Sequence, residues 1–587
     1  MFHWWEEDSL RFHDELAAFS RHGASVVIDT DDQVAGSLVL RVNWPVNGEG
    51  LDLIVRYPHH FPFFRPAVAA PGLSLRYHQE PYTGDLCLLP QWSGAWLPED
   101  RVADYIYEQL PKVLDAGSTD EKEKVSKIEV HQAEPRSGYY RYVAQTFLLI
   151  DGAWKIPQSV KSGYLVVGIE GGRGQSPTDS IRKGIRAAIL DVQDQSGRTI
   201  EVLNQAVAHP YSGTVFKGHW VRLSKPPKGI DERCFWDALR QEYPKLFSLV
   251  EKKASKNEEG VIGFIFPEEA DYRGASSDGW VFLNYFGINK KGQSKNKIYL
   301  TRAYRAGAGD IFDRVPELAP LRSKKIAFAG LGCIGAQSAI EFAKSGIGEL
   351  RFLEGDSFAP GNSCRWPLGL PYSGFHKISA VSHFIRGNYP YTSIGPSFQY
   401  TLGNPYNPSD ERLLLEKWVE GVDLIFDGSA EIGVQHLLTT IAKRKKIPYV
   451  LIESRPGGWG GVVARIIPDT TGCFYCLCHY FNDGALGKEG GFKIPPQKKE
   501  DFIQPQGCLS PTFTAASFDV EEVSLLGVRM GVSILCSGET DTYPTFGSDV
   551  GVLSLRDDTG AFPCFPKWES YSLNRHPSCH CFSKESE

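Results

Sequence analysis

The residues most able to do chemistry lie in the second half of the chain. Lys325-Ile-Ala-Phe-Ala-Gly-Leu-Gly-Cys-Ile-Gly335 is a strand-like run followed by GxGxxG, with Gly330, Gly332 and Gly335 at the motif positions. Such glycines permit a tight turn and close approach of backbone amides to phosphate. The helix expected from about Ala336 would point its positive end at the same place. Taken alone, the motif suits a dinucleotide site, another nucleotide site, or a glycine-rich turn without ligand. The next run, Glu349–Leu353, ends at Glu354, about twenty residues on, where a ribose-hydroxyl acceptor is expected. A hydride-transfer enzyme has no use for the polar residues that come next: Asp356, Asn362 and Arg365 in one short segment, then Lys377. Arg365 and Lys377 suit triphosphate charge. Asp356 and Asp427, the latter closing the run Asp423–Asp427, are hard oxygen donors of the kind magnesium takes.

The cysteines are the second chemical signal. There are 12, and those from Cys473 onward crowd the C-terminal fifth. Cys473 and Cys476 form a CxxC, and Cys579 and Cys581 form a second close pair. Four thiolates would close a tetrahedral structural zinc site; free thiols are the alternative. Cys508 differs. It sits in Gln506-Gly-Cys-Leu-Ser-Pro-Thr-Phe-Thr514, just before the apolar helical run Val520–Ile534. Nearby amides at a helix-opening loop acidify a thiol and make it a better nucleophile. Cys333 and Cys364, inside the nucleotide motif, read as packing, and Cys536 on the apolar helix reads as buried.

These residues need a scaffold. At 587 residues the chain predicts three or four domains. Residues 1–155 read as a first unit, with a helix over Leu10–Phe19, strands over Ala24–Asp29, Ser37–Trp44 and Leu51–Tyr57, and a helix over Glu99–Val113. Residues 160–300 read as a middle unit with strands Tyr164–Ile169 and Val261–Phe266, a surface loop over Lys252–Gly260, and no motif that carries chemistry. Residues 301–587 alternate strands and helices, a parallel α/β pattern. Composition is that of an ordinary globular chain, 42% hydrophobic and 23% charged. Lys and Arg total 63 against 70 Asp and Glu, a formal net charge of −7, which gives no general footprint for nucleic acid or an anionic membrane. The N-terminus lacks the basic start and apolar run of a signal peptide, and no stretch reads as a membrane span. A cytoplasmic chain is expected, in which free or metal-bound cysteines outweigh disulfides.

The ordered set Gly330/Gly332/Gly335, Glu354-Gly355-Asp356, Asn362-Ser-Cys-Arg365, Lys377 and Asp427 resembles the ubiquitin-activating superfamily, which includes the ThiF and MoeB adenylyltransferases. Glu354 departs from the usual Asp, keeping the ribose contact on a longer arm. The resemblance implies a Rossmann-like domain that binds ATP and Mg²⁺ and adenylates the C-terminal carboxylate of a protein. It implies a thioester at Cys508 and a homodimer. It also implies a zinc site of two cysteine pairs, here Cys473 and Cys476 with Cys579 and Cys581. The second pair is CxC rather than CxxC, so ligands stay open among these cysteines and the nearby histidines. An arginine from just before the first strand is expected too, with Arg302 and Arg305 as unranked choices.

The N-terminal region resembles the ubiquitin-conjugating fold, an α+β unit. The carriers are Tyr57-Pro58, Phe61-Pro62-Phe-Phe-Arg-Pro66, His78, Gly84-Asp-Leu-Cys87-Leu-Leu89, Trp92 and Trp96-Leu-Pro98. The implied thioester residue is Cys87. His78-Gln79-Glu80 replaces the family's His-Pro-Asn, so the asparagine that stabilises the oxyanion is missing. The whole chain resembles fused bacterial enzymes of the antiphage operons called CBASS, whose middle segment resembles a degenerate adenylation domain. That resemblance implies a protein ligase that passes a partner's C-terminus from Cys508 to Cys87 and then to a target amine. The activated partner is a cyclic-oligonucleotide synthase, or else a ubiquitin-like protein. Competing readings are a sulfur-carrier adenylyltransferase, which leaves Cys87 unexplained, a regulatory module that holds nucleotide without turnover, and an NAD oxidoreductase.

Overall fold

The structure, a computed structural model, describes residues 3–34, 36–88, 96–118, 133–171, 177–270, 272–290, 293–404, 410–484, 501–503, 512–557 and 562–579. The chain forms two compact units. One comprises Met1–Leu203 with Tyr211–Arg305, the other Asn204–Pro210 with Ala306–Glu587.

The first unit carries two sheets. Ser25–Ile28, Leu38–Val46, Glu49–Tyr57 and Ala67–Ala69 form an antiparallel meander in chain order. Leu38–Val46 alternates buried and exposed residues over most of its length, as one covered face requires. The helices Ser9–Arg21 and Val102–Ser118 supply Phe19, Ala103, Ile106 and Leu110 to the same core. The second sheet has eight strands. Phe147–Ile150 pairs with both Gln293–Arg305 and Arg186–Asp194, which closes the sheet on itself. Phe147–Ile150 thus belongs to this second sheet, although the sequence placed it with the first unit. The expected loop over Lys252–Gly260 is also different: Lys252–Ser255 end the helix Pro244–Ser255, and Glu259 opens the strand Glu259–Glu269. The lysines at 252 and 253 suit a helix C-terminus, where carbonyls are exposed.

In the second unit the sheet order is Ser393–Ile394, Glu349–Leu353, Lys325–Ala329, Leu424–Asp427, Tyr449–Ser454, Gly460–Ile466, Val550–Arg556, Pro563–Tyr571. The first five strands run parallel, as expected, and the last three add antiparallel pairs. Helices cover both faces. Cys333–Lys344, Lys377–Asn388 and Ser517–Leu535 pack on one side, and Glu411–Val419, Ile432–Lys445 and Phe474–Asp483 on the other. Phe328 and Phe426 stack at 4.5 Å between adjacent strands. From Lys325–Ala329 the chain goes to one neighbour first and to the other later. The carboxyl end of this strand is therefore a topological switch point, where α/β sheets leave a crevice.

The helix Ser517–Leu535 approaches the sheet closely because Gly527 has no side chain. A Cβ there would lie 2.4 Å from Ile452 Cγ2 and 3.1 Å from Phe426 Cζ. Gly527→Ala is expected to cost about 1–3 kcal/mol through overpacking and to lower the thermal midpoint by several degrees, measured by calorimetric unfolding.

Candidate active site

The site is built at the switch point. Gly330, at φ +77°, follows the central strand, and its N–H donates to the Leu353 carbonyl at 3.0 Å. A Cβ on Gly330 would meet the Ser429 backbone at 2.6 Å, and one on Gly335 would meet the Gly330 carbonyl oxygen at 2.1 Å. Gly332 differs: a Cβ there would meet nothing within 4 Å, and the residue caps the helix Cys333–Lys344. Two glycines are therefore needed for backbone packing, and the third opens onto the helix N-terminus, an anion-binding position. The helix starts three residues earlier than the sequence suggested.

Glu354 ties the loop to its neighbour strand. Leu331 N–H donates to Glu354 Oε2 at 2.7 Å, and Asp356 N–H donates to Oε1 at 2.8 Å. Lys377 Nζ lies 2.9 Å from Asp356 Oδ2 and 4.0 Å from Glu354 Oε2, with the lysine side chain almost buried. Asn362 sits in the short 3-10 turn Pro360–Cys364, and its carbonyl accepts from the N–H groups of Arg365 and Trp366. Gly330, Gly332, Gly335, Glu354, Asp356, Asn362 and Lys377 all lie on the strand ends, loops and helix starts around one crevice. Sequence reasoning missed Trp366, whose indole N–H donates to the Leu331 carbonyl at 2.9 Å and fixes the glycine loop from the other side. A buried tryptophan directly after Asn-x-x-Arg was the available signal.

Two residues occupy places other than those expected. Arg365 donates to the Phe513 carbonyl at 2.7 Å and to Thr512 Oγ1, and its guanidinium lies over the Phe513 ring. Thr512–Phe513 pairs with Phe502–Ile503, and this ladder bounds the segment that carries Cys508. Cys508 itself lies outside the described residues. Asp427 is completely buried. Ser429 N–H and hydroxyl donate to its Oδ1 at 2.9 and 2.6 Å, and the Tyr449 hydroxyl donates to Oδ2 at 2.7 Å. Burial pushes its carboxyl pKa up. In this conformation Asp427 does not fit a magnesium ligand, because a metal would have to displace donors from a closed site. Asp356, whose side chain is 71% exposed, does fit.

The cysteine tail folds back onto the CxxC. Cys473 Sγ lies 3.8 Å from Cys476 Sγ and 3.6 Å from Cys579 Sγ, and all three sulfurs lie within 4.8 Å of one another. A tetrahedral zinc with Zn–S of about 2.3 Å sets neighbouring sulfurs about 3.8 Å apart, so these three fit three corners. Cys581 lies outside the described residues. His576 is engaged otherwise, with Nε2 3.0 Å from Asp483 Oδ2 and Nδ1 accepting from Ser578 N–H. Elsewhere, burial pushes up the thiols of Cys333 and Cys536, and that of Cys478 to about 11. Cys364 is exposed and does not pack, contrary to expectation, whereas Cys536 is buried as expected.

In the first unit Cys87 is exposed on a short hairpin. Its N–H donates to the His78 carbonyl at 2.8 Å, Gln79 pairs with Leu86, and Glu80 N–H donates to Asp85 O at 2.8 Å. Leu89 and Trp92 lie outside the described residues. Arg302 and Arg305 are occupied in the same unit: Arg302 donates to the Gly138 carbonyl at 3.1 Å, and Arg305 lies 4.0 Å from Glu268.

Uncharacterized protein y4oA of Sinorhizobium fredii is 30% identical over 606 residues, covering 98% of this chain and 97% of that protein. Uncharacterized protein y4qC of the same organism is 30% identical over 593 residues, covering 96% and 95%. The chain belongs to their family. Within it, residues 309–522 match the ThiF family, so the second unit contains a ThiF-family domain. The SAMP-activating enzyme E1 of Haloferax volcanii is 24% identical over 163 residues, 27% of this chain and 54% of that protein. Among solved structures, E. coli MccB with ATP aligns at a TM-score of 0.32 and 15% identity, covering 47% of this chain and 70% of that one. Among the described residues, no helix is long and apolar enough to cross a membrane.

Gly335→Ala must displace the Gly330 carbonyl, so ATP affinity measured by titration calorimetry is expected to fall at least about tenfold, one decade being 1.4 kcal/mol. Purified chain is expected to carry one zinc by elemental mass spectrometry, and Cys476→Ser is expected to lose the metal and unfold at lower temperature.

Proposed function

We propose that this protein is an ATP-dependent protein ligase. Its second unit adenylates the C-terminal carboxylate of a partner protein, and the acyl group then passes to Cys508, to Cys87 and finally to an amine on a target. The observation that carries the first step is the crevice at the switch point. There Gly332 opens onto a helix N-terminus while Glu354 and Trp366 hold the glycine loop. The ThiF-family match over the same residues supports it, as does the Haloferax volcanii relative, named as an activating enzyme.

ATP supplies the adenylyl group that makes the carboxylate reactive. The amides of the Gly330–Gly335 loop and the helix start receive phosphate oxygens. Lys377 neutralises charge beside them, and Asp356 offers an exposed oxygen to Mg²⁺. A carboxylate oxygen attacks the α-phosphorus, the new P–O bond forms and pyrophosphate leaves. Cys508 thiolate then attacks the acyl carbon and AMP leaves. Cys87 thiolate displaces Cys508 thiolate, one thioester replacing another. The closing step forms a C–N bond and releases Cys87. Cys473, Cys476, Cys579 and Cys581 hold a structural zinc, and the enzyme works as a homodimer. The partner is a cyclic-oligonucleotide synthase of a bacterial CBASS operon, or a ubiquitin-like protein.

Incubation with ATP and the partner is expected to give thiol-reducible adducts on non-reducing gels. Cys508→Ala is expected to abolish them. Cys87→Ala is expected to keep the first adduct and lose the final conjugate. A complete lack of reducible adducts in the unsubstituted enzyme would overturn the relay.

A further inference from the structure

When an amine attacks a thioester, the carbonyl oxygen gains negative charge and needs a hydrogen-bond donor aimed at it. At Cys87 the residue in the expected position is Glu80. Its carboxylate is turned into its own hairpin, accepting from the N–H groups of Tyr82, at 2.9 Å, and Thr83. Glu80 thus caps a turn, its carboxylate committed to backbone N–H groups of its own hairpin.

A different segment reaches the hairpin that carries Cys87. Glu134 Oε1 accepts the His78 N–H at 2.7 Å, and the His78 carbonyl in turn accepts the Cys87 N–H at 2.8 Å. Glu134 leads directly into the 3-10 turn Arg136–Tyr139. That turn is fastened to the eight-stranded sheet. Ser137 N–H and hydroxyl donate to the Glu268 carboxylate at 2.8 and 3.0 Å, and Arg302 donates to the Gly138 carbonyl at 3.1 Å. Glu268 is buried and faces Arg305. The turn is therefore a fixed wall rather than a loose loop. Arg136, at the start of the turn, shares a cleft of about 600 Å³ with Glu80, Tyr82 and Thr83 of the hairpin and with Lys225 and Lys228.

We infer that the turn Arg136–Tyr139 completes the Cys87 site, and that the Tyr139 hydroxyl donates the hydrogen bond to the carbonyl oxygen of the acyl group carried there. The inference rests on the reading of Cys87 as an acyl carrier. Tyr139 is half-buried. Burial first, then the negative charges of Glu134, Cys87 and Glu80, push its phenol up to about 12, so it keeps its proton at neutral pH. In the step it serves, the amine nitrogen bonds to the acyl carbon, the C–S bond breaks, Cys87 leaves as thiolate and the amine loses a proton to water. Tyr139 donates a hydrogen bond throughout and transfers no proton.

The test uses the full chain with Cys508→Ala and a diglycine-ended peptide mercaptoethanesulfonate thioester, which loads Cys87 by thiol exchange. Free lysine is then added, and loss of the Cys87 adduct is followed by peptide mass spectrometry. Tyr139→Phe, which keeps the ring, is expected to slow discharge to lysine 10- to 100-fold while the adduct still forms. Ser137→Ala, which loosens the turn, is expected to slow it less. Equal discharge rates with and without the Tyr139 hydroxyl would overturn the inference and leave Cys87 as carrier. Absence of any Cys87 adduct would overturn the carrier reading, and the inference with it.

Discussion

The second unit depends on one place where no side chain fits. The helix Cys333–Lys344 starts so close to the end of the central strand that a methyl group at Gly335 would sit 2.1 Å from the Gly330 carbonyl oxygen. That approach aims the first helical amides at the crevice between the diverging strand connections. Glu354 and Trp366 then hold Leu331 by its N–H and its carbonyl. The loop is clamped at both backbone groups of one residue, so it does not have to be ordered by a ligand. A preorganised phosphate cradle costs less conformational entropy when it binds.

The cradle is also joined to the segment proposed to take the acyl group. Arg365 belongs by sequence to the nucleotide motif, yet it holds Thr512 and Phe513, the near end of the ladder around residues 504–511. Asp501 steadies the far end. It is buried, faces Arg556 at 3.8 Å, and its carbonyl accepts the Thr514 N–H at 2.8 Å. Two of the five N–H donors of the Arg365 guanidinium are thus spent on a carbonyl and a hydroxyl. Its position ties the nucleotide motif to the strand that follows residues 504–511, something no reading of isolated motif residues would show.

How legible each feature was in the sequence depends on how local its signal is. GxGxxG, the acidic residue after the next strand and the CxxC are short patterns whose geometry is set within a turn or two, and the strands around them came out close to their observed bounds. Glu354 was read as a nucleotide ligand, but its role in holding Leu331 depends on a register between strands 23 residues apart. Asp427 looked like a metal ligand because it ends a strand. Its burial comes from Tyr449 and Ser429 closing over it, and strand-end position carries no information about that. The three antiparallel strands of the second unit's sheet were missed because the helices Phe474–Asp483 and Ser517–Leu535 separate Gly460–Ile466 from Val550–Arg556, so no alternation with a regular spacing announces them. The middle sheet looked chemically blank because its contribution, the pinned turn at Ser137, depends on Glu268, 131 residues away.

Burial sorts the cysteines in a way that spacing could not. A nucleophile must ionise and must be reached. The thiols of Cys333, Cys478 and Cys536 fail the first requirement, since removal from water disfavours the thiolate. Cys473, Cys476 and Cys579 fail the second in a different way: three sulfurs at ligand spacing are committed to one another or to a metal that would hold them as thiolates without freeing them to attack. Cys364, on the turn Pro360–Cys364, and Cys564, in the edge strand Pro563–Tyr571, are exposed, with no polar wall among the described contacts. Cys87 is exposed, and its hairpin is joined through His78 to Glu134, which leads into the turn held by Glu268. A relay between two thioesters gains little free energy at the exchange step, so its direction has to come from whatever consumes the second thioester. Conversion of that thioester to the more stable amide supplies the pull, and a site that stabilises charge at Cys87 would speed it; the surroundings of this thiol, rather than the thiol alone, are the feature that would distinguish a ligase from an enzyme that stops at adenylation.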